Sequence, residues 1–80
     1  MIHVILPADL PFTGGVTRVE VEAATLKSLI LALEQRFPGL GEHLDRKMAF
    51  AVNGEIHQDA WFASLDDGAE VVVLPKIGGG

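Results

Sequence analysis

One segment of the chain has the periodicity of an amphipathic helix, and it lies between segments that are patterned as strands. In residues 25–37, TLKSLILALEQRF, large apolar residues recur at helical spacing and form one stripe: Leu26, Leu29, Ile30, Leu33 and Phe37. Thr25 is a suitable N-cap, and Pro38 with Gly39 predicts the end of the helix. Leu31 lies off the stripe and is expected to be partly exposed. With only one predicted helix, this stripe is expected to pack against a sheet.

Two strands are predicted before the helix. Residues 2–6, IHVIL, are apolar on both faces, which is typical of a strand at the centre of a sheet. Residues 16–23, VTRVEVEA, alternate apolar and polar side chains, so this strand is expected to expose one face. The connection between them is rich in turn-forming residues, including Gly14 and Gly15, and it predicts a hairpin.

A second hairpin is predicted after the helix. Residues 41–47, GEHLDRK, are interpreted as a short polar linker that leads into it. Residues 48–57, MAFAVNGEIH, have strand-forming residues on both sides of Asn53 and Gly54. Asn-Gly is the strongest short-range hairpin signal, because both residues accept the positive φ angles of a type I′ turn.

The last part of the chain is predicted to close the core and complete the sheet. Trp61, Phe62 and Leu65 stand in an irregular stretch and are expected to cover one end of the core. Residues 69–75, AEVVVLP, form an apolar, β-branched run that is typical of a buried central strand.

These elements predict one α+β fold. Their order is strand, strand, helix, strand, short strand, strand, and the simplest arrangement is a mixed sheet of four to five strands packed on one main helix. The first and last strands are expected to lie parallel at the centre, which is the β-grasp, or ubiquitin-like, architecture. Residues 1–77 are predicted to form this domain, and residues 78–80 a flexible glycine tail.

The side chains that carry catalysis and metal binding are sparse. The chain has no cysteine, which leaves no disulfide, zinc-thiolate site, iron-sulfur cluster or thiol nucleophile within it. His3, His43 and His57 lack metal-ligand spacing, so no metal site is expected. Ser28 and Ser64 stand in no recognisable nucleophile motif, so hydrolase chemistry has no support.

Charge and hydropathy limit the partners. The net charge is -5, and the six Lys and Arg residues form no basic stripe, which argues against nucleic acid. No apolar run approaches the roughly 18 residues of a membrane span, and the start of the chain lacks the pattern of a signal peptide. We therefore expect no membrane partner and a cytoplasmic location.

The chain ends in LPKIGGG, and this tail is the strongest functional signal. Three terminal glycines arise by chance in only about 0.03% of sequences, so a functional reading is favoured over a frayed end. Glycines lack Cβ atoms and can enter a narrow pocket, where they deliver the α-carboxylate of Gly80. Once joined to AMP, this carboxylate can be attacked by sulfur or by an amine. The residues predicted to contact the partner are Pro75, Lys76, Ile77, Gly78 and Gly79.

The chain resembles the small β-grasp sulfur carriers, which include the small subunit of molybdopterin synthase and the thiamine-biosynthesis sulfur carrier. The resemblance rests on TLKSLILALEQRFPGL, on AVNGE at residues 51–55, on LDDGAEVVVLP at residues 65–75, and on the terminal Gly79 and Gly80. It implies that Gly80 is adenylated with ATP and converted to a thiocarboxylate that donates sulfur. It also implies a carrier with no cofactor of its own, not an enzyme, although such a carrier can be the small subunit of a synthase complex.

The resemblance also implies a set of partners. These are a ubiquitin-activating-like adenylyltransferase, a sulfur donor of the desulfurase or rhodanese type, and a large synthase subunit or another sulfur acceptor. Lys76 and the third glycine, Gly78, depart from the usual tail of the family, which puts the identity of the partner in doubt more than the chemistry. The length of the chain and the connection PADLPFTGG, residues 7–15, are more similar to the molybdopterin and cysteine-biosynthesis carriers than to the shorter thiamine ones. Molybdopterin synthesis is the favoured pathway, with thiamine or cysteine biosynthesis as alternatives.

Two other functions stay open from the sequence. The first is a ubiquitin-like modifier, in which Gly80 forms an amide with lysines of target proteins. The second is a plain β-grasp interaction domain with an inert tail. Deletion of Gly80 separates the second function from the others, because only an interaction domain keeps its function without that residue.

Overall fold

The computed structural model describes residues 1–57 and 61–76. In these residues the elements are β1 (Ile2–Ile5), β2 (Arg18–Val21), α1 (Leu26–Arg36), α2 (Leu40–Lys47), β3 (Met48–Val52), β4 (Glu55–His57) and β5 (Glu70–Pro75). They form a five-stranded sheet with the order β2-β1-β5-β3-β4. Strands β1 and β5 are parallel, and the other neighbouring strands are antiparallel. The predicted β-grasp fold, with the first and last strands parallel inside the sheet, is confirmed.

Helix α1 begins and ends as predicted, for local reasons. Thr25 is its N-cap: the Thr25 hydroxyl accepts a hydrogen bond from the backbone N–H of Ser28, and the Ser28 hydroxyl accepts one from the N–H of Thr25. The helix buries its leucine stripe, whereas Leu31 is 56% exposed, as predicted. The apolar stripe therefore fixes which side of α1 faces the sheet.

The segment predicted as a polar linker, residues 41–47, is instead the body of α2. Leu40 and Leu44 lie one turn apart and are fully buried, so they anchor this short helix in the core. The carboxylate of Glu34 accepts hydrogen bonds from the N–H of Gly39 at 3.0 Å and of Gly41 at 2.7 Å. Helix α1 thus caps the N-terminus of α2. This cap cannot be recognised from residues 41–47 alone, because the capping side chain belongs to another helix.

We expect Glu34→Gln to reduce the sensitivity of the fold to acid. The backbone N–H groups of Gly39 and Gly41 favour the ionised carboxylate and lower the pKa of Glu34 from its ordinary value. The stabilisation is therefore complete above the unfolded pKa of about 4.3 and is lost as the pH falls through the folded value. Urea titrations between about pH 7 and about pH 2.5 should show a shallower loss of unfolding free energy in the variant.

Glu70→Gln is the matched control, because Glu70 is an exposed glutamate at the start of β5 and not at the α1–α2 corner. Its unfolding free energy should follow the wild-type pH dependence. Equal slopes for wild type and Glu34→Gln would contradict the role of Glu34 as a charged cap.

The core lies between the two helices and one face of the sheet. Buried leucines of α1 and α2 belong to the same apolar cluster as buried residues of the three inner strands: Val4, Phe50, Val71 and Val73. The hairpin between β3 and β4 turns at Asn53 and Gly54, whose φ angles of 48° and 87° are both positive, as predicted for a type I′ turn. Neither helix in residues 1–57 and 61–76 is long and apolar enough to cross a membrane.

The segment from Trp61 to Leu65 closes the core only in part. The side chain of Leu65 is buried and that of Trp61 packs against the core, as predicted, but Phe62 is 76% exposed and its predicted core position is wrong. Trp61 and Phe62 lie in a turn beside the start of α1, and Ser64 forms an isolated antiparallel bridge to Thr25. In this turn the side chain of Trp61 packs against the core and that of Phe62 faces solvent.

Candidate functional site

The root of the C-terminal tail is fixed to the rest of the fold. Pro75 ends β5 opposite Met48 of β3. The backbone N–H of Lys76 donates to the carbonyl of Lys47 at 3.0 Å, and its side-chain Nζ donates to the carbonyl of Asp45 at 3.2 Å. These carbonyls belong to the last turn of α2, where helix carbonyls have no partner within the helix. Lys76 therefore joins the end of β5 to the end of α2.

The structure describes only part of the site predicted from the sequence. Pro75 and Lys76 are described, and both lie at the tail root. Ile77 and the glycines Gly78, Gly79 and Gly80 lie outside the described residues, and their predicted roles stay predictions. The predicted tail at residues 78–80 is untested for the same reason.

The surface around the tail root combines apolar and basic side chains. A cavity of about 320 Å³ adjoins Pro75 and is lined by residues that include Leu10, His43, Lys47 and Met48. Arg46 and Lys47 stand in the last turn of α2, where positive charge is favourable beside the negative end of the helix dipole. In a chain of net charge -5, this end of α2 is a local concentration of positive charge.

The face of the sheet opposite the helices carries a continuous apolar row. The strand register places Ile5 of β1 beside Val72 of β5, Val72 beside Ala51 of β3, and Ala51 beside Ile56 of β4. None of these side chains belongs to the core cluster, and Ile56 is 49% exposed. Leu74 lies on the same face of β5 as Val72, next to Pro75. We call Ile5, Ala51, Ile56, Val72 and Leu74 the outer-face patch.

The outer-face patch was not recognised from the sequence, although its signal was present. Strands β1 and β5 are apolar on both faces, which predicts burial on both sides. In the described residues the helices cover one face only, so the second apolar face remains half-buried and leads to the tail root. An apolar surface of this kind marks an interaction site.

No metal-binding cluster accompanies this surface within the described ranges, residues 1–57 and 61–76. There, no group of three His, Asp or Glu side chains is placed to hold a metal ion. His3 and His57 lie close to Glu20 and Glu55 at 3.1 Å and 3.5 Å, in pairs on the strands. The reactive group predicted from the sequence is the carboxylate of Gly80, which lies outside the described residues.

The comparisons with known proteins extend over the whole chain. The family model described as "ThiS family" matches residues 6–80. The crystal structure of CysO of Mycobacterium tuberculosis, described as an antigen, has a TM-score of 0.84 and 28% identity, over 96% of this chain and 100% of that one. A chain in the BexX/CysO complex of Amycolatopsis orientalis has a TM-score of 0.84 and 29% identity over 100% of both chains.

A third solved structure is SAMP1 of Haloferax volcanii. Its TM-score is 0.71 and its identity 27%, over 99% of this chain and 98% of that one. No curated protein has a sequence that matches the chain significantly. Since each of these structures aligns over nearly its full length, the similarity concerns the entire domain and not a shared fragment.

Proposed function

Because the chain belongs to the ThiS family, we propose that it is a sulfur carrier whose acyl site is the C-terminal carboxylate of Gly80. The observation that carries this proposal is that the family match extends through residue 80 and so includes the terminal glycines. At the coarser level, the matches to CysO and SAMP1 make the chain a sulfur-carrier or ubiquitin-like protein.

The proposed chemistry has three steps. In the first, a carboxylate oxygen of Gly80 attacks the α-phosphorus of ATP, and pyrophosphate leaves, which produces an acyl-adenylate. In the second, a sulfur nucleophile at the oxidation level of sulfide attacks the acyl carbon, the bond between that carbon and the phosphate oxygen breaks, and AMP leaves. A persulfide donor supplies sulfur at this level together with a thiol reductant, which gives two electrons and is oxidised to a disulfide. In the third, the sulfur of the thiocarboxylate bonds to the acceptor, and water cleaves the acyl–sulfur bond and restores the carboxylate. Adenylation supplies the leaving group that a free carboxylate lacks.

The chain's own residues make the carboxylate of Gly80 accessible and hold the root of the tail in position. A glycyl carbonyl is unhindered, and terminal glycines fit a channel that other residues would block. Lys76 and Pro75 hold the tail root, which limits the ordering entropy that a partner must overcome when it binds the tail. The absence of cysteine is compatible with this role, because the sulfur would be carried on the acyl carbon.

We propose that the partners dock on the outer-face patch and enclose the tail. They are an activating enzyme of the ubiquitin-activating type, a sulfur donor of the desulfurase or rhodanese type, and a sulfur acceptor such as a large synthase subunit. The crystallised BexX/CysO complex supports the idea that a carrier of this fold binds another protein. Leu74 links the patch to the tail root, so one partner can contact both.

The experiment that tests the proposal is intact mass spectrometry of the protein purified from its own cells. A thiocarboxylate adds about 16 Da, since sulfur replaces oxygen. The purified protein should also be adenylated by its matching activating enzyme and ATP. The proposal fails if neither the mass shift nor the adenylate is found.

The pathway that receives the sulfur is a finer proposal. We propose molybdopterin synthesis, with cysteine and thiamine biosynthesis as alternatives. The connection at residues 7–15 favours the molybdopterin and cysteine pathways together over the thiamine pathway. Transfer of radioactive sulfur from the thiocarboxylate to purified acceptor enzymes of the three pathways decides among them. The acceptor that takes up the label identifies the pathway.

A second candidate function is a protein modifier joined to lysines through Gly80. The likeness to SAMP1 of Haloferax volcanii supports it. Because trypsin cleaves after Lys76, a conjugated target lysine would carry the remnant Ile-Gly-Gly-Gly. Proteomics of cells that express the protein would reveal this remnant on other proteins, and its absence from them would contradict the modifier function.

A further inference from the structure

A groove of about 440 Å³ lies on the helix side of the molecule, away from the outer-face patch. It runs between α1, α2 and the segment that contains Trp61 and Phe62. We call it the helix-side groove and define it by Ile30, Leu31, Trp61, Phe62, Glu42 and Asp45. Its volume lies within the range of about 300 to 1,000 Å³ that is typical of ligand-binding clefts.

The aromatic wall of the groove is held in place by backbone hydrogen bonds. The N–H of Lys27 donates to the carbonyl of Trp61 at 2.8 Å, and the N–H of Leu26 donates to the carbonyl of Ala63 at 3.2 Å. The Nζ of Lys27 also lies 5.7 Å from the centre of the Phe62 ring. Because this wall is already ordered, little of its conformational entropy is lost when a partner binds.

The apolar part of the groove is unusually exposed. Phe62 is 76% exposed and Leu31 is 56% exposed, and both line the same groove. Large aromatic and aliphatic side chains at a concave surface are the usual anchors of protein interfaces. The packing of the core does not account for Phe62, because it points away from the core.

Of the charged residues that line the groove, Glu34, Glu42 and Asp45 are acidic and Lys27 is basic, so the rim on α2 is acidic. Glu42 and Asp45 are exposed there, and Glu42 also contacts Arg46 at 3.6 Å. An exposed ion pair of this kind contributes little, so a cation of a partner can replace Arg46 at small cost. The net charge of -5 disfavours a second copy of the chain as occupant and favours a basic one.

We propose that the helix-side groove binds a basic amphipathic helix of another protein. Its apolar side chains lie between Leu31 and Phe62, and its Lys or Arg side chains lie beside Glu42 and Asp45. The groove and the outer-face patch are on opposite sides of the sheet, so both surfaces can be occupied at once. This inference does not depend on activation of the tail.

The test uses a defined probe and a matched pair of variants. The probe is a synthetic peptide of about 18 residues made only of Leu and Lys, spaced so that the leucines form one helical face. NMR titration of the isotope-labelled full chain should shift amide signals of α1, α2 and Phe62. Leu31→Lys should weaken binding by at least about tenfold, since it places a cation in the groove.

The control is Val16→Lys, which makes the same charge change at an exposed apolar residue outside both the groove and the outer-face patch. It should bind the probe within about threefold of wild type. A chain without Gly80 should bind like wild type, which separates this result from the test of the sulfur-carrier proposal. A probe with the same composition and alternating Leu and Lys should bind at least about tenfold more weakly.

Three outcomes would overturn the proposal. The first is equal weakening by Leu31→Lys and Val16→Lys, which would indicate only attraction between a cationic peptide and an acidic protein. The second is a set of shifted signals centred on the outer-face patch. The third is self-association of the free protein that Leu31→Lys abolishes, which would make a second copy the occupant of the groove.

Discussion

Deletion of Gly80 should abolish both adenylation and sulfur loading of the protein while leaving its free energy of unfolding unchanged. The deletion moves the terminal carboxylate back by one residue, about 3.3 Å, which is too far for attack on a fixed phosphorus atom. The described tail root at Pro75 and Lys76 is untouched. Pyrophosphate exchange with the matching activating enzyme and intact mass measure the loss, and urea titration measures the stability.

Gly80→Ala is the informative companion variant, because it keeps the length of the tail and its carboxylate but adds one methyl group. We expect adenylation to fall by about 10- to 100-fold and to remain detectable, since the methyl group displaces the reacting carboxylate in a narrow channel. Full biological function after deletion of Gly80 would contradict the carrier and the modifier together, and would favour the inert interaction domain.

The second large effect concerns stability: Phe50→Ala should cost about 3–5 kcal/mol of unfolding free energy. Phe50 lies on β3, is 1% exposed, and packs in the core cluster between the sheet and the helices. A domain of 80 residues has a total stability of roughly 4–12 kcal/mol, so this variant loses a large share of it. Urea unfolding followed by circular dichroism measures the difference.

Phe62→Ala makes the same substitution at the exposed aromatic residue and should change stability by no more than about 0.5 kcal/mol. Comparison of the two variants thus distinguishes a phenylalanine that stabilises the core from one that is exposed and available for binding. A loss at Phe62 as large as that at Phe50 would contradict the orientation of the segment that contains Trp61.

The parts of the fold that local sequence determines were predictable. Thr25 and Pro38 mark the ends of α1 because a cap and a stop act within a few residues of the helix. Asn53 and Gly54 predict the hairpin because the turn itself requires positive φ angles. The first and last strands of the sequence, β1 and β5, were predicted to pair in parallel inside the sheet because both are apolar on two faces.

Helix α2 could not be predicted in this way. Its sequence is polar, and only Leu40 and Leu44 mark a buried side. Its N-terminal N–H groups bind the carboxylate of Glu34, which belongs to the preceding helix. A short helix that depends on tertiary packing for its cap and its anchor gives a weak local signal.

The candidate site also has parts that could be predicted from the sequence and parts that required the structure. The tail residues, with Gly80 as the reactive position, were predicted from composition and resemblance, and they stay predictions. The contacts of Lys76 with the end of α2 needed the three-dimensional arrangement, because Asp45 and Lys76 are far apart in sequence. The predicted core position of Phe62 was wrong because hydrophobicity alone does not show which side chains of an irregular segment face inward.

The central position of β5 has a mechanical consequence. This strand lies between β1 and β3, and the tail leaves from its end at Pro75. A force applied at Pro75 along the strand would load the hydrogen bonds of both neighbouring ladders in shear at the same time. We therefore expect the domain to resist such a force until both ladders break together.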